Sequence, residues 1–240
     1  MTRVLVARSK LNLELRVLGT LPDGRHRVET VLQSISLGDL VEVEPAPQTS
    51  LEVLGLPAPS GEDNLALRAL AALGTSARIR LWKRVPAGAG LGGGSADAAA
   101  VLRILAAPPV AAALAPGLGA DVPFLLGGGT ALATGAGEAL QRLPDRAAWY
   151  AIAWPGYGVP TAAVYAAWDE VGGDGTNHLT RAAFKVEPRL AEFAARLGNL
   201  WRMTGSGSAF FRECTTRAEA ESATAELNCW TAVATAIPAF

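Results

Sequence analysis

Apolar and polar residues alternate through RVLVARSKLNLELRVLG. Val4 and Val6, then Leu11, Leu13, Leu15 and Val17, fall on alternate positions, which predicts one long strand. LPDGRH follows with an Asp-Gly turn pair, and RVETVLQSISLGDLVEVEP offers two further strand-like runs parted at Gly38-Asp39. The stretch from Pro45 to Pro59, rich in Pro, Ser and Thr, reads as a strand and a loop. In SGEDNLALRALAALG the spacing becomes helical. Ser60 with Asp63 has the form of a capping box, and Gly74 closes the helix. ARIRLWKRV returns to the strand pattern and leads into a glycine-rich loop and an alanine-rich helix.

Beyond that helix, PPVAAALAPGLGADVPFLLGGGTALATGAGEAL predicts a short helix, a turn at Gly117–Asp121 and a hairpin built around Gly127–Gly129. WYAIAWPG opens a second unit, so the expected division is 1–147 and 148–240. Within the second unit RLAEFAARLG is an amphipathic helix, and LWRMTGSGSAFFRE a strand, glycine turn and strand. RAEAESATAEL is a solvated helix and WTAVATAIP a closing strand. Strands and helices mix without regular βαβ alternation, which places the chain in the α+β class.

Composition narrows the function classes. Half of the 240 residues are hydrophobic and 18% are charged, enough for a substantial core and unlike a disordered chain. With 21 basic against 22 acidic residues there is no basic field, so recognition of nucleic acid is not expected. Lys83 and Arg84 form only a pair, read as a strand end. Cys214, Cys229, His26 and His178 are too scattered for a disulfide scaffold or a structural metal site. MTRVLVARSK reads as a strand rather than a signal peptide, and no apolar run has membrane-spanning length. A soluble cytoplasmic protein is expected.

The stretch with most chemistry is VPAGAGLGGGSADAAAVLRIL, where Gly88, Gly90, Gly92, Gly93 and Gly94 precede a strong helix. Glycine costs ordering entropy, so its concentration implies a need for unobstructed backbone. Turned inward, that backbone offers N–H donors, and a helix starting near Ser95 adds its free amides and positive dipole end; together they suit an anion such as phosphate. A Cβ at Gly92 or Gly93 would hold phosphate oxygens away, and Ser95 adds a hydroxyl. Asp97 could complement the helix dipole or approach a metal. The loop is not a Walker A motif, because no Gly-Lys-Ser/Thr follows. GAGLGG matches the dinucleotide pattern letter by letter, and a glycine turn packed tightly on a neighbouring helix would match it equally well. Two further segments, LGADVPF and TGSGSAFF, put small residues beside polar ones. Asp121 stands between apolar neighbours and must be solvated, paired, catalytic or a cap for the next turn.

SKLNLEL, DGRHRVETVLQ, EDNLALRA, VPAGAGLGGGSADAA, LGADVPF and MTGSGSAFF, in this order, resemble the GHMP small-molecule kinases. The resemblance runs from Lys10 to Phe211. KLNL, DG-H and GADVPF together point to the branch that acts on a cytidine-diphosphate-linked alcohol. It implies two domains: an N-terminal nucleotide-binding unit resembling a domain of a small-subunit ribosomal protein, and a C-terminal ferredoxin-like unit. The implied reaction is ATP-dependent phosphorylation of the 2-hydroxyl of 4-diphosphocytidyl-2-C-methyl-D-erythritol, a step in non-mevalonate isoprenoid synthesis.

By the same resemblance, ATP phosphates lie on Pro86, Ala87, Gly88, Ala89, Gly90, Leu91, Gly92, Gly93, Gly94, Ser95 and Ala96, and Asn64 and Lys83 flank the adenine. Asp121 is the catalytic aspartate and Lys10 its partner. Phosphoryl transfer needs positioning, charge stabilisation and an acceptor for the hydroxyl proton. Asp121 can be that acceptor, and an ammonium beside it favours the ionised carboxylate. Asn12, His26, Thr161 and Tyr165 match substrate-side positions, with His26 at the cytosine edge and Tyr165 stacking on the base. Mg²⁺ is expected with ATP, without a metal site of the protein's own. The implied partners are the two small-molecule substrates, with neither nucleic acid nor membrane, and a monomer or homodimer.

Three departures stand out. Arg25 occupies the position where the family has a second stacking aromatic, and a guanidinium can stack on a base. Ala96 replaces a second serine. The segments 106–117 and 172–202 are short for the family. Other acceptors (mevalonate, homoserine or a sugar) and a non-catalytic nucleotide-binding relative are the alternatives.

Overall fold

The computed structural model describes residues 1–240. Two long antiparallel strands, β1 (Arg3–Thr20) and β2 (His26–Pro45), form its spine. The register between them shifts between Arg8 and Lys10 and again between Asn12 and Glu14. A bulge turns the side chains that follow to the other face of the sheet, and Ala7 packs in one core cluster while Leu11 and Leu13 pack in another. Apolar burial stays on odd-numbered positions: Leu11, Leu13, Leu15 and Val17 are buried as expected, and so is Ala7, whereas Val4 is 53% exposed. Gly38-Asp39 does not divide the second run. Both residues stay paired, with Arg8 and Ala7, and β2 continues through them.

β3 (Ser50–Gly55), α1 (Leu65–Ala72), β4 (Ala77–Lys83), α2 (Gly93–Leu105), α3 (Pro108–Leu118), α4 (Val122–Gly127), β5 (Thr130–Thr134) and β6 (Ala139–Leu143) complete the first sheet and its helical cover. The sheet order is β3-β4-β2-β5-β6, with β1 on β2. The cap of α1 is Asn64, whose Oδ1 accepts from the Ala66 amide at 2.9 Å, so the expected Ser60/Asp63 box is corrected. The hairpin expected at Gly127–Gly129 is corrected too. VPFLLG is helical, and the hairpin of β5 and β6 turns through 135–138 instead.

α2 is the central helix. Nine of its thirteen residues are buried, Ala96, Ala98, Ala99 and Ala100 among them. Alanine is the best helix former and its small side chain lets the helix approach the sheet closely. Leu102, fully buried in the same 25-residue cluster, anchors it. Its truncation to Ala is expected to cost about 2–5 kcal/mol.

β7 (Trp149–Trp154), α5 (Thr161–Val171), α6 (Thr180–Val186), α7 (Arg189–Leu197), β8 (Arg202–Met203), β9 (Phe210–Cys214), α8 (Arg217–Ala225) and β10 (Trp230–Thr235) build the second sheet, ordered β10-β7-β9-β8. That is a βαββαβ arrangement with the fourth strand beside the first, a ferredoxin-like layout. The two units share material. Leu15, Val17 and Val28 of β1 and β2 belong to the second unit's core cluster. Leu15 also exchanges backbone bonds with Thr176 and His178. The C-terminal residues cross back, Ile237 donating to Ser34 and Phe240 to Gly127. No helix is long and apolar enough to cross a membrane.

Candidate active site

Where β1 passes from one core to the other, a cavity of about 1080 Å³ opens between the glycine loop, α5, the 117–121 turn and the TGSGS turn. Pro86, Ala87, Gly88, Ala89, Gly90, Leu91, Gly92, Gly93, Gly94 and Ser95 line it. Ala96 does not. It is buried in the α2 core face and its amide already donates to the Gly92 carbonyl, so its expected phosphate role is corrected. α2 starts at Gly93 rather than Ser95, which leaves the amides of its first turn without a carbonyl four residues back and facing the loop.

The loop is held between the two units. The Lys10 amide donates to the Leu91 carbonyl at 3.0 Å, and the Ala209 amide to the Ala89 carbonyl at 2.9 Å. This close seating explains the glycines better than phosphate access alone. Gly90 and Gly92 both have positive φ, at 77° and 71°. A Cβ at Gly90 would stand 2.3 Å from the Thr204 carbonyl, and one at Gly92 would press on the Lys10 side chain at 3.0 Å. The expected clearance role of Gly93 is revised, because a Cβ there would meet Val85 at 3.0 Å.

Lys10 is nearly sealed, and its three ammonium protons face three acceptors: Asn12 Oδ1 at 2.5 Å, the Gly90 carbonyl at 2.9 Å and Asp121 Oδ2 at 3.4 Å. Asn12 is fixed in turn, donating through Nδ2 to Thr30 Oγ1 at 2.8 Å and through its amide to Thr204 Oγ1 at 2.9 Å. Asp121 precedes α4 but makes no side-chain cap bond. Its carboxylate turns instead toward Lys10 and the cavity, and 33% of the side chain remains exposed. The long Lys10–Asp121 contact is therefore the one free to yield to a substrate oxygen.

Lys83 and Asn64 are elsewhere. The Lys83 ammonium lies buried beneath the loop between Asp39 and Asp97, 2.6 Å from Asp97 Oδ2 and bonded to Asp39 Oδ2. Burial alone would lower its pKa, but the two carboxylates outweigh that and hold it above the ordinary lysine value. Burial pushes Asp97 up to about 7, the Asp39 carboxylate adding to the rise and Lys83 opposing it. Asp39 Oδ1 accepts from the Arg84 and Val85 amides at 2.6 and 2.9 Å, so this cluster ties the entry of the glycine loop to α2. The adenine role of the Lys83 side chain is thus corrected, and Asp97 neither faces a ligand nor belongs to the first helical turn. The Asn64 side chain is spent on capping α1 and on the Pro59 carbonyl. Leu65 and Arg68 from the same helix line the cavity in its place.

At the opposite end, His26, Arg25, Thr161 and Tyr165 all line the cavity. The His26 and Tyr165 ring centroids are 4.7 Å apart, tilted by 31°, and Trp168 meets His26 edge-on at 5.8 Å. His26 Nε2 is 2.8 Å from Asp169 Oδ1. Burial pushes the Tyr165 phenol up to about 12, with the Asp121 carboxylate adding to the rise. Arg25 lies on the rim with its guanidinium held by Asp23. Thr161 Oγ1 is 2.9 Å from Ser206 Oγ, joining α5 to the TGSGS turn.

Sequence reasoning left out Thr204, Gly205 and Ser206, although the small-beside-polar pattern flagged their segment. It also missed Asp169, one helical turn beyond Tyr165, and Asp39, which the Gly38-Asp39 turn signal disguised. No group of three or more His, Cys, Asp or Glu side chains is arranged to hold a metal.

Comparison with known proteins agrees with this architecture. Residues 64–108 match the GHMP kinases N terminal domain. A 4-diphosphocytidyl-2-C-methyl-D-erythritol kinase from Pelotomaculum thermopropionicum is 48% identical over 68% of this chain, which spans 62% of that relative's length. One from Cereibacter sphaeroides is 38% identical over 93% of this chain and 95% of its own. The crystal structure of a 4-(cytidine 5'-diphospho)-2C-methyl-D-erythritol kinase superposes with a TM-score of 0.79 at 36% identity, covering 98% of this chain and 99% of that one. The mevalonate kinase of Methanococcus jannaschii shares the fold, with a TM-score of 0.63 at 12% identity over 99% of each chain. The chain belongs to the 4-diphosphocytidyl-2-C-methyl-D-erythritol kinase family of the GHMP kinases.

Proposed function

We propose that this chain transfers the γ-phosphoryl group of ATP to the 2-hydroxyl of 4-diphosphocytidyl-2-C-methyl-D-erythritol. The observation that carries the reading is the Lys10–Asp121 pair, seated where the glycine loop meets the cavity floor. Asp121 accepts the proton as the hydroxyl oxygen attacks. Lys10 stays bonded to Asn12 and the Gly90 carbonyl, and its third proton turns from Asp121 to the oxygens that gain charge. The exposed amides of the loop and of the first turn of α2 hold the triphosphate. The cytidine end lies against His26 and Tyr165.

The oxygen donors fit a magnesium ion brought by the nucleotide. Mg²⁺ binds chiefly through phosphates and waters with one or two protein oxygens, and Ser95 and Asp121 line the cavity to supply them. Bound there, the ion would neutralise phosphate charge.

The test is product formation from Mg-ATP with 4-diphosphocytidyl-2-C-methyl-D-erythritol, with mevalonate, homoserine and galactose as parallel acceptors. Phosphorylation of the cytidine compound alone is expected. Turnover of another acceptor alone would keep the kinase and overturn the substrate.

A further inference from the structure

We propose that Asp169 is a specificity-determining positioning residue: it sets the tautomer of His26 so that the cavity favours a nucleobase with an exocyclic amine over one with a carbonyl at that position. The inference rests on the reading that the base lies at His26. A carboxylate can only accept, so the 2.8 Å contact with Asp169 Oδ1 requires the proton on His26 Nε2. In the neutral ring Nδ1 is then an acceptor, and it has no hydrogen-bond partner within the protein.

The ring is not free to flip this assignment at low cost. It is 13% exposed, packed on Tyr165 and met edge-on by Trp168. Tyr165 and Asp169 lie one turn apart on α5, so the same helix supplies both the stacking face and the tautomer lock. An amino group such as the N4 of cytosine donates and matches an acceptor at Nδ1. A carbonyl such as the O4 of uracil accepts and would face it lone pair to lone pair. A site that must hydrogen-bond its ligand rejects the mismatched analogue strongly.

Two measurements test this. The chain has only two histidines, so long-range proton–nitrogen spectra of histidine-labelled protein at pH 8 resolve each ring. His26 is expected as the Nε2–H tautomer, becoming a mixture in Asp169→Ala. His178, whose Nδ1 accepts from the Val17 amide at 3.3 Å, serves as the unaffected control.

Kinetics then compare the cytidine substrate with its uridine counterpart. Wild type is expected to prefer cytidine at least about 100-fold in kcat/KM. Asp169→Ala should lose at least about tenfold of that preference, through a raised KM for the cytidine compound and with kcat within twofold. Asp169→Asn, whose amide oxygen still accepts, should recover most of it. An Nδ1–H tautomer in wild type, or unchanged preference in Asp169→Ala, overturns the proposal. Failure of wild type to use either compound overturns the functional reading and the proposal with it. The spectra still report independently whether Asp169 sets the tautomer.

Discussion

The glycine loop runs between two lysine–carboxylate clusters made of the same chemical parts. On its cavity side Lys10 faces a single carboxylate, Asp121, at 3.4 Å, with a third of that side chain exposed. Beneath it Lys83 is clamped by two carboxylates, Asp39 and Asp97, all sealed from solvent. In the first pair the contact is long and the carboxylate is open to the cavity, with somewhere to go when a substrate arrives. The second has no route to a ligand and fixes backbone instead, through the Arg84 and Val85 amides. Burial of the carboxylates, and a second carboxylate on the same lysine, turn a reactive pair into a fastener.

The largest effect should come from breaking the open pair. Asp121→Asn is expected to lower kcat by about 10³-fold, within the usual range for a positioned proton acceptor. ATP affinity should stay within about threefold, checked by calorimetry. Stability should hardly change, because the carboxylate is partly exposed and caps nothing. Lys83→Met should do the opposite, leaving two buried carboxylates without their cation. Chemical denaturation should show a loss of about 3–5 kcal/mol.

The contrast between the clusters was half legible in the sequence. Lys10, Asp121 and the glycine loop could be picked out because each lies in a compact motif, and the loop's anion preference follows from backbone chemistry alone. Lys83 was misread because its fate depends on Asp39, 44 residues away in the chain and disguised as a turn residue. Ala96 was misread because the helix begins two residues earlier than its texture suggests, so its amide is already bonded to the Gly92 carbonyl, and its side chain packs in the core. In the fold, strand identity followed from alternation, but the bulges that carry β1 from one core cluster to the next are a property of pairing and leave no local mark. The capping box at Ser60 had the right letters, yet Asn64 stands closer to the helix and takes the bond.

A subtler property of the buried cluster is its response to pH. Asp97 has a folded-state value raised to about 7 against an unfolded value near 4. The native state therefore holds more protons than the unfolded state between those values. Its contribution is fully present below about pH 4 and is lost as pH rises toward 7. Asp97→Asn removes that slope. Denaturation midpoints at pH 5 and pH 7.5 should show the variant gaining on wild type at the higher pH. A gap that widens against the variant would contradict the assignment.

The smallest effect belongs to the rim. Arg25→Tyr restores an aromatic where this chain has a guanidinium tied to Asp23. One added stacking contact is worth about 0.5–1.5 kcal/mol. The KM for the cytidine substrate should fall by about two- to tenfold, with kcat unchanged in steady-state assays.

The most direct test of the division of labour is a rapid-quench single-turnover measurement at saturating Mg-ATP and cytidine substrate, run on wild type, Asp121→Asn and Asp97→Asn. The phosphoryl-transfer step should slow by about 10³-fold in Asp121→Asn and stay within about threefold of wild type in Asp97→Asn. A fast step in Asp121→Asn, or an equally slow one in Asp97→Asn, would show that the open pair does not carry the chemistry.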